Sequence, residues 1–411
     1  MGDDKGIAPN GGGPLAGTVV VDATNFLGGP FGGMLLADLG ADVIKLEAPP
    51  GGDPSRQRHD NTSYSSAFAG INRTKRSLLI DLKKPESRPV LEALIRRSDI
   101  FLTSLRPKSR GSIGLDYPTL SAINPRLIYC SITGYGERGP AIDVPAFDTV
   151  AQARSGLLSL LLGDFDQEVR ISAFLSDISA GIYACCGVLA ALQARHRTGV
   201  GQEVRTSLLQ ATMGMETFNF FTMFAAKAAG QSFASIRPAG YFLRGSDGVR
   251  FAAHVPPSPP ALWKNFIDAL DMVWLDDDAR FCTTGVRAEN YSKLHQIIAE
   301  HVAKMPGKHW MDRMAAHNVA CAPILKLDQV FDDPIVRGLG MLHTVTDPWG
   351  EQVETVGSGI ELLGTPIVPP RRAPLIGEHN NEILQWLGFT ADSIDTMTKG
   401  GVLGPLPKEA R

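Results

Sequence analysis

The sequence of 411 residues carries almost no excess charge of one sign, because 40 lysines and arginines stand against 43 aspartates and glutamates, for a formal net charge of −3. Such a balance gives the chain no general attraction to nucleic acid or to an anionic membrane surface. Uninterrupted apolar runs are short as well, and none reaches the roughly 20 residues of a membrane-spanning helix. The sequence therefore predicts small-molecule partners, with no nucleic acid and no membrane.

Cysteine is scarce, and its spacing excludes the usual structural uses of thiols. The five cysteines include no C-x-x-C pair, and an odd number cannot all pair within one chain. The first residues, MGDDKGIAPNGGGPLAG, are acidic and rich in glycine, unlike the basic and then apolar start of a signal peptide. Both observations predict a protein of the reducing cytoplasm.

Signatures of metal-dependent, serine-dependent and nicotinamide-dependent enzymes are also missing. The nine histidines include no H-E-x-x-H pair, and the stretch VGSGI does not satisfy G-x-S-x-G. The glycine turn GGPFGG places Pro30 and Phe31 where a dinucleotide-binding fingerprint needs its second glycine. The sequence thus predicts neither a metal site nor an NAD cofactor.

What the sequence does contain is an alternation of strands and helices. Residues 19–22 read as a β-branched strand, a helix begins at Pro30 after the glycine turn, and residues 42–46 read as a second strand. Strand, helix and strand within so short a stretch form a βαβ unit, and the alternation continues to about residue 135. The pattern predicts an α/β fold with an open, doubly wound, Rossmann-like parallel sheet.

The pattern changes after about residue 232. A Ser-Asp-Gly turn there separates two hairpin-like strands, and helices follow to about residue 316. From Pro334 the chain becomes extended and rich in proline before a last helix, EHNNEILQWLGF. The middle part of the chain is therefore predicted to form a smaller α+β domain.

Two basic clusters lie on loops of the predicted sheet. Solvated loop charge is the simplest explanation of either cluster alone. Both clusters follow elements of one sheet, however, and such sheets bind ligands at one strand edge, so together they favour a ligand with several phosphates, such as a cofactor with a nucleotide tail. The clusters are NRTKRS, with Arg73, Lys75 and Arg76, and LRPKSRG, with Arg106, Lys108 and Arg110.

Asp177 stands at the head of residues 178–192, which carry no formal charge. One interpretation makes it a helix N-cap, whose carboxylate accepts free N–H groups of the first turn and stabilises the helix by about 1 kcal/mol. The second makes it a nucleophile, because the positive helix end keeps the carboxylate ionised while the apolar helix partly desolvates it. The two interpretations are compatible.

Several stretches together resemble the family III CoA-transferases, the group that includes formyl-CoA transferase and carnitine CoA-transferase. They occur in the family's order and cover most of residues 17–210 and the last 45 or so residues. The stretches are GPFGGMLLADLGADVIKLEAPPGGDPSR, NRTKRSLLIDLKKPE, GYGERGP, SDISAGIYACCGVLAALQARHRTGVGQEV and APLIGEHNNEILQWLGF.

The resemblance implies an acyl-CoA:carboxylate CoA-transferase whose catalytic residue is Asp177. In the family mechanism this carboxylate forms an anhydride with the donor acyl group and then an aspartyl-CoA thioester, which the acceptor acid attacks. The resemblance also implies an interlocked, ring-like homodimer. Residues 1–225 and 335–411 would form the large domain, and residues 226–334 the small one.

Contacts to coenzyme A are implied at three places by the same resemblance. Two departures from the family pattern stand near the third place: Ser104 and Leu105 replace an asparagine and an aromatic residue, and Ser112 replaces an arginine whose role Arg110 could take. The predicted contacts are Phe26, Leu27 and Gly28; Arg73, Lys75 and Arg76; Ser104, Leu105, Arg106, Lys108 and Arg110; and also Tyr135.

Two other functions stay open at this point. An α-methylacyl-CoA racemase needs a histidine before an aspartate, and here Phe147 precedes Asp148 in VPAFDTVAQ. A weakly active, CoA-ester-binding subunit of a hetero-oligomer is the second alternative. The acyl group itself is not encoded in any motif; a pocket built from Tyr135, Met213, Met215, Phe218 and Tyr241 would favour a bulky or aromatic acid over formate or oxalate.

Overall fold

The structure is a computed structural model that describes residues 12–56, 64–163, 171–230 and 239–404. Its strands are β1 Val19–Ala23, β2 Asp42–Glu47, β3 Arg76–Leu79, β4 Ile100–Thr103, β5 Ile128–Thr133, β6 Glu203–Ser207, β7 Gly240–Arg244, β8 Arg250–His254, β9 Ala320–Pro323, β10 Leu342–Thr346 and β11 Gln352–Val356.

The described α-helices are α1 Gly28–Asp38, α2 Ser66–Asn72, α3 Arg88–Arg97, α4 Pro107–Ser112, α5 Tyr117–Ile123, α6 Asp148–Ser155, α7 Leu157–Leu162, α8 Leu175–Thr198, α9 Leu208–Met215, α10 Thr217–Ala228, α11 Pro260–Ala269, α12 Thr284–Glu289, α13 Tyr291–Val302, α14 Gly307–Ala316, α15 Pro334–Gly338, α16 Asn380–Trp386 and α17 Ala391–Lys399.

Six strands form the parallel sheet that the βαβ pattern predicts. Their order is β3-β2-β1-β4-β5-β6, and every neighbouring pair is parallel. The order reverses direction between β1 and β4, as in a Rossmann-like sheet. Strands β1, β2, β4 and β5 are buried along their whole length, because helices cover both faces of the sheet. The α/β fold is therefore confirmed.

Two apolar layers enclose this sheet. On one face α3, α5, α16 and α17 pack against it through residues such as Leu94, Leu120 and Ile383. On the other face α1, α8 and α9 pack against it through residues such as Leu36 and Val188. The C-terminal segment thus completes the first layer, and Asn380 accepts the backbone N–H of Leu79 at 2.8 Å, covering the edge strand β3.

Packing contacts divide the chain into residues 1–216 with 339–411, and residues 217–338. The second unit holds an antiparallel sheet in the order β7-β8-β9, and β7 and β8 flank the Ser-Asp-Gly turn. Its separate core includes Phe251, Phe266 and Trp310, which are buried against α11, α13 and α14. The domain boundaries at 225/226 and 334/335 stay a prediction.

Helix α8 is long and apolar enough to cross a membrane by length and composition alone. Its apolar residues are interrupted by Ser179, Gly181 and Gln193, so it contains no uninterrupted apolar run of about 20 residues. Half of its apolar stretch is buried inside the protein, where it packs against α1, β5, β6 and α9. A core helix of a globular domain has the same composition, because it buries apolar residues on most sides.

Helices α1 and α8 approach each other through glycines. A Cβ atom at Gly181 would lie 2.7 Å from the carbonyl oxygen of Gly28 and 3.0 Å from the backbone nitrogen of Gly32. A Cβ at Gly32 would in turn lie 3.0 Å from the carbonyl oxygen of Gly181. The two helix backbones therefore meet at a distance that only glycine permits at these positions.

Replacing Gly181 by alanine should lower the free energy of unfolding by about 1–3 kcal/mol, because the added methyl group overpacks the helix crossing. The alanine preference of helices, about 1 kcal/mol, does not offset this cost. Urea unfolding of the Gly181→Ala and Gly70→Ala variants measures the free energy of unfolding with and without overpacking of the helix crossing. Gly70 lies in α2 with open space at its Cβ position, so its variant should be neutral or slightly stabilised. An unchanged stability of Gly181→Ala would contradict the close crossing.

Candidate active site at the carboxyl edge of the sheet

A cavity of about 210 Å³ opens at the carboxyl edge of the parallel sheet, where the strand order turns from β1 to β4. Open α/β sheets bind their ligands at this position, because the loops leaving the two strands diverge and leave a crevice. The loops after β1, β4 and β5, the segment before α6 and the first turn of α8 line it. Residues from these five places include Asn25, Phe26, Ser104, Tyr135, Phe147 and Asp177.

Asp177 lies in the first turn of α8, but it is not the N-cap. The helix begins at Leu175 with Phe174 as its N-cap residue, so the predicted N-cap role of Asp177 is wrong. The carboxylate of buried Asp148 takes that role: its Oδ1 accepts the backbone N–H groups of Ser176 at 2.8 Å and of Asp177 at 3.0 Å. Asp148 thereby fixes the start of the helix, and with it the position of Asp177.

The first turn of α1 lies against the Asp177 carboxylate. The backbone N–H of Gly28 donates a hydrogen bond to that carboxylate. A Cβ atom at residue 28 would lie only 2.9 Å from Asp177 Oδ1, so glycine is required for the approach. Because Gly28 is the first residue of α1, its N–H has no partner within the helix and is available to an anion.

Burial and, to a smaller extent, the neighbouring carboxylate of Asp148 together raise the pKa of Asp177 to about 6, although the hydrogen bond from Gly28 opposes the rise. The helix ends alone would lower this pKa, so desolvation is the stronger influence. At neutral pH the carboxylate form still predominates. A half-buried carboxylate that is ionised but poorly solvated has the character of a nucleophile or a base.

Buried ion pairs hold the loop that carries Phe26 and Gly28. Lys45, fully buried below the loop, contacts Asp53 at 2.8 Å and donates to the carbonyl oxygen of Thr24. Asp53 in turn accepts the backbone N–H of Phe26 at 3.2 Å. Phe26 has φ of +66°, a left-handed conformation that a phenylalanine rarely adopts without such support. The loop geometry beside Asp177 is therefore determined by charges inside the protein.

A family model described as "CoA-transferase family III" matches residues 15–380. The chain belongs to CoA-transferase family III. A succinate–glutarate CoA-transferase of Agrobacterium fabrum is 30% identical over 388 residues, covering 92% of this chain and 96% of that protein. A formyl-CoA:oxalate CoA-transferase of Streptomyces avermitilis is 31% identical over 407 residues, covering 95% and 99%.

Solved structures agree with this assignment. A CAIB/BAIF family protein from Brucella suis has a TM-score of 0.77 at 30% identity, over 92% of this chain and 100% of its own. A hypothetical protein from Mycobacterium tuberculosis has a TM-score of 0.78 at 27% identity, over 90% and 99%. The resemblance to the family III CoA-transferases that the motifs indicated is therefore confirmed, and so is the fold.

Five of the predicted coenzyme A contacts of this CoA-transferase line the cavity together with Asp177. They come from three separate loops, which the sheet brings to one edge. Leu27, which adjoins two of them, does not line the cavity. The five residues are Phe26, Gly28, Ser104, Arg106 and Tyr135.

The first basic cluster faces the protein interior. Each of its three cations is buried and forms an ion pair with an aspartate on a neighbouring element, at 2.6 Å for Arg73 and 2.7 Å for Lys75. Burial lowers the pKa of Lys75 to about 8, although Asp22 opposes that change. None of the three lines the cavity, and their assignment as coenzyme A contacts stays a prediction. The pairs are Arg73 with Asp38, Lys75 with Asp22 and Arg76 with Asp42.

The second cluster divides between interior and surface. Arg110 is buried and donates two hydrogen bonds to the Glu137 carboxylate, at 2.7 and 2.6 Å. Leu105 packs against the apolar core, and Lys108 is exposed on α4. Arg106 alone of this group's cations borders the cavity, and it donates to the carbonyl oxygen of Asp143 at 3.4 Å. Arg110 is thus occupied within the protein, and its contact to coenzyme A stays a prediction.

Sequence reasoning missed part of the cavity wall. Ile142 and residues 144–147 line it with apolar side chains, and no motif in the sequence marks them as part of a site. Of the residues proposed for an acyl pocket, Tyr135 lines the cavity, whereas Met213 and Met215 are exposed on α9. Phe218 and Tyr241 belong to the second unit. The missed signal was the apolar composition between β5 and α6.

Among residues 12–56, 64–163, 171–230 and 239–404, no group of three or more His, Cys, Asp or Glu side chains is placed to hold a metal ion.

Replacing Asp177 by asparagine should stabilise the protein at neutral pH. The folded carboxyl binds its proton more tightly than the unfolded one, so stability falls as pH rises from about 4 through 6 and the charge costs up to about 3 kcal/mol above that range. Urea unfolding at pH 7.5 should show most of this gain for Asp177→Asn, and at pH 5 about half of it. The control Asp143→Asn, at an exposed position, should change little. A less stable Asp177→Asn variant at pH 7.5 would contradict the desolvated carboxylate.

Proposed function

We propose that this protein transfers coenzyme A from an acyl-CoA donor to a free carboxylic acid, with Asp177 as the covalent carrier. The observation that carries the proposal is a half-buried, ionisable carboxylate held at the first turns of α1 and α8 in the ligand-binding crevice. Membership of CoA-transferase family III supports it, because the relatives are named for exchanging CoA between carboxylic acids.

The proposed reaction begins with attack of an Asp177 carboxylate oxygen on the thioester carbonyl of the donor. The carbon–sulfur bond breaks, leaving an acyl-aspartyl anhydride and free CoA thiolate. The thiolate then attacks the aspartyl carbonyl, releasing the donor acid and forming an aspartyl-CoA thioester. The acceptor carboxylate attacks that thioester, the carbon–sulfur bond breaks, and a second anhydride forms with release of CoA thiolate. Attack of the returning thiolate on the acceptor carbonyl yields the new acyl-CoA and restores Asp177.

The residues around Asp177 have distinct parts in this scheme. In two of the four steps the tetrahedral oxyanion forms on the Asp177 carboxyl itself, where the Gly28 N–H already donates. A positioned backbone donor of this kind stabilises the developing charge and needs no rearrangement during the reaction. Asp148 keeps Asp177 in place by bonding the amides of the first turn of α8. The negative charge of Asp148 also favours anhydride formation, because acylation removes the charge of the neighbouring Asp177 carboxylate.

Thioester and anhydride energy is passed from one intermediate to the next, so the scheme requires no ATP. The proposed contacts of the thioester end of the acyl-CoA donor are Phe26, Gly28, Ser104, Arg106 and Tyr135, which line the cavity. Racemase chemistry would require a second proton-transfer group opposite the aspartate, and the apolar ring of Phe147 stands next to Asp148 instead.

A homodimer is the assembly proposed, with a hetero-oligomer as its alternative. Helix α10 supports this proposal, because Phe218, Phe221 and Phe224 follow one another along one face and are all more than half exposed. A row of exposed aromatic rings is typical of a surface that another chain covers.

All five cysteines are free thiols, which supports the proposed cytoplasmic location.

The test is capture of the carrier by hydroxylamine, which converts an activated carboxyl to a hydroxamate. The full-length protein is incubated with an acyl-CoA donor and hydroxylamine, digested, and analysed by peptide mass spectrometry. We expect a hydroxamate on Asp177, none on Asp177→Asn, and normal capture with Asp277→Asn, a control at an exposed position in the second unit. Acyl transfer that proceeds without any modification of the Asp177 peptide would show that the carboxylate is not the carrier.

A further inference from the structure

Two phenylalanine rings stand in the wall of the cavity that contains Asp177. The centroids of Phe26 and Phe147 are 5.5 Å apart and the rings are perpendicular, an edge-to-face arrangement that aromatic groups prefer. Both rings are nevertheless largely open to solvent, with 47% and 60% of their surface exposed. Exposed rings at a binding site have apolar surface left for a ligand.

The backbone at each ring is fixed by the same groups that fix Asp177. The left-handed conformation of Phe26 is supported by the buried Asp53, and Gly28, two residues further on, bonds the Asp177 carboxylate. Phe147 directly precedes Asp148, whose carboxylate bonds the Asp177 amide. The two rings are therefore held at set positions relative to the reacting carboxylate.

The remainder of the described wall is unsuited to a second negative charge. Its apolar side chains include Ile132, Ile142 and Leu208, and its hydrogen-bonding side chains are Asn25, Ser104, Thr133 and Tyr135. Arg106 is the one cation among the described lining residues. Arg106 is exposed and already donates to a backbone carbonyl. A distal carboxylate of the substrate would lose water without gaining a buried cation in the described wall, which is costly for a charged group.

The cavity is large enough for a ring. An apolar cavity of about 150 Å³ binds benzene in another protein, and the volume here is about 210 Å³. A ring packed beside this pair would contact the ring surface that each phenylalanine leaves open to solvent and would extend the edge-to-face cluster that aromatic groups prefer.

We infer that the acyl group handled at Asp177 is that of an aryl-substituted monocarboxylic acid, selected by Phe26 and Phe147 over short dicarboxylic acids. The inference rests on the proposed function and adds the substrate class to it.

The test compares the rates at which three donors label Asp177 in the presence of hydroxylamine: 3-phenylpropanoyl-CoA, butanoyl-CoA and glutaryl-CoA. We expect the phenyl donor to exceed glutaryl-CoA by about tenfold or more in the wild-type protein. Phe147→Ala should reduce labelling by the phenyl donor about tenfold and change butanoyl-CoA less. The Phe147→Leu variant keeps a large apolar side chain at this position, so butanoyl-CoA should still label its Asp177 at nearly the wild-type rate. Val150→Ala, an exposed position on α6 outside the cavity, is the matched control and should leave all three rates unchanged.

The outcomes separate the two proposals. Equal or faster labelling by glutaryl-CoA overturns the substrate class but leaves Asp177 as the carrier. A phenyl preference that survives in both Phe147→Ala and Phe26→Ala overturns the role of the two rings. Absence of labelling with every donor overturns the proposed function, and the inference with it.

Discussion

The contact between the first turns of α1 and α8 is the constraint on which the rest of the site depends. Gly28, Gly32 and Gly181 let two helix backbones approach so closely that the amide of Gly28 reaches the carboxylate of Asp177. The same crossing packs α8 against the sheet. A carboxylate on a core helix is thereby brought to the ligand-binding edge of the sheet, where the loops after β1, β4 and β5 meet.

Charge inside the protein supports this contact from two sides. Asp148, which follows Phe147 in the chain, caps α8 by accepting two backbone N–H groups of its first turn. The ion pair of Lys45 with Asp53 holds the loop of Phe26. Buried ion pairs contribute little net stability, since desolvation opposes their attraction. The value of the Lys45–Asp53 pair is geometric, because Asp53 also accepts the backbone N–H of Phe26 beside Asp177. Desolvation and the Asp148 charge also keep Asp177 less acidic than a surface aspartate, which suits a group that alternates between free and acylated forms.

Local patterns predicted the parts of the structure that are themselves local. The β-branched strands and glycine turns indicated the parallel sheet, and the charge-free stretch after Asp177 indicated its helix. The N-cap prediction for Asp177 is wrong because the carboxylate that accepts the first-turn N–H groups belongs to Asp148. Asp148 is remote in sequence and contacts α8 only in the folded chain. In the same way, the sequence shows Arg73, Lys75 and Arg110 as free loop cations, whereas tertiary packing pairs them with Asp38, Asp22 and Glu137. Partners of this kind have no sequence spacing to predict them.

The central claim, that Asp177 carries the acyl group, is tested most directly with isotopically labelled acceptor acid. If an acceptor with ¹⁸O in both carboxylate oxygens forms the anhydride, attack by CoA thiolate on the acceptor carbonyl leaves one labelled oxygen on Asp177. Mass spectrometry after turnover should therefore find ¹⁸O in the carboxylate of Asp177 and in no other side chain. Conversion of the labelled acid to its CoA thioester with no ¹⁸O in the protein would contradict the account.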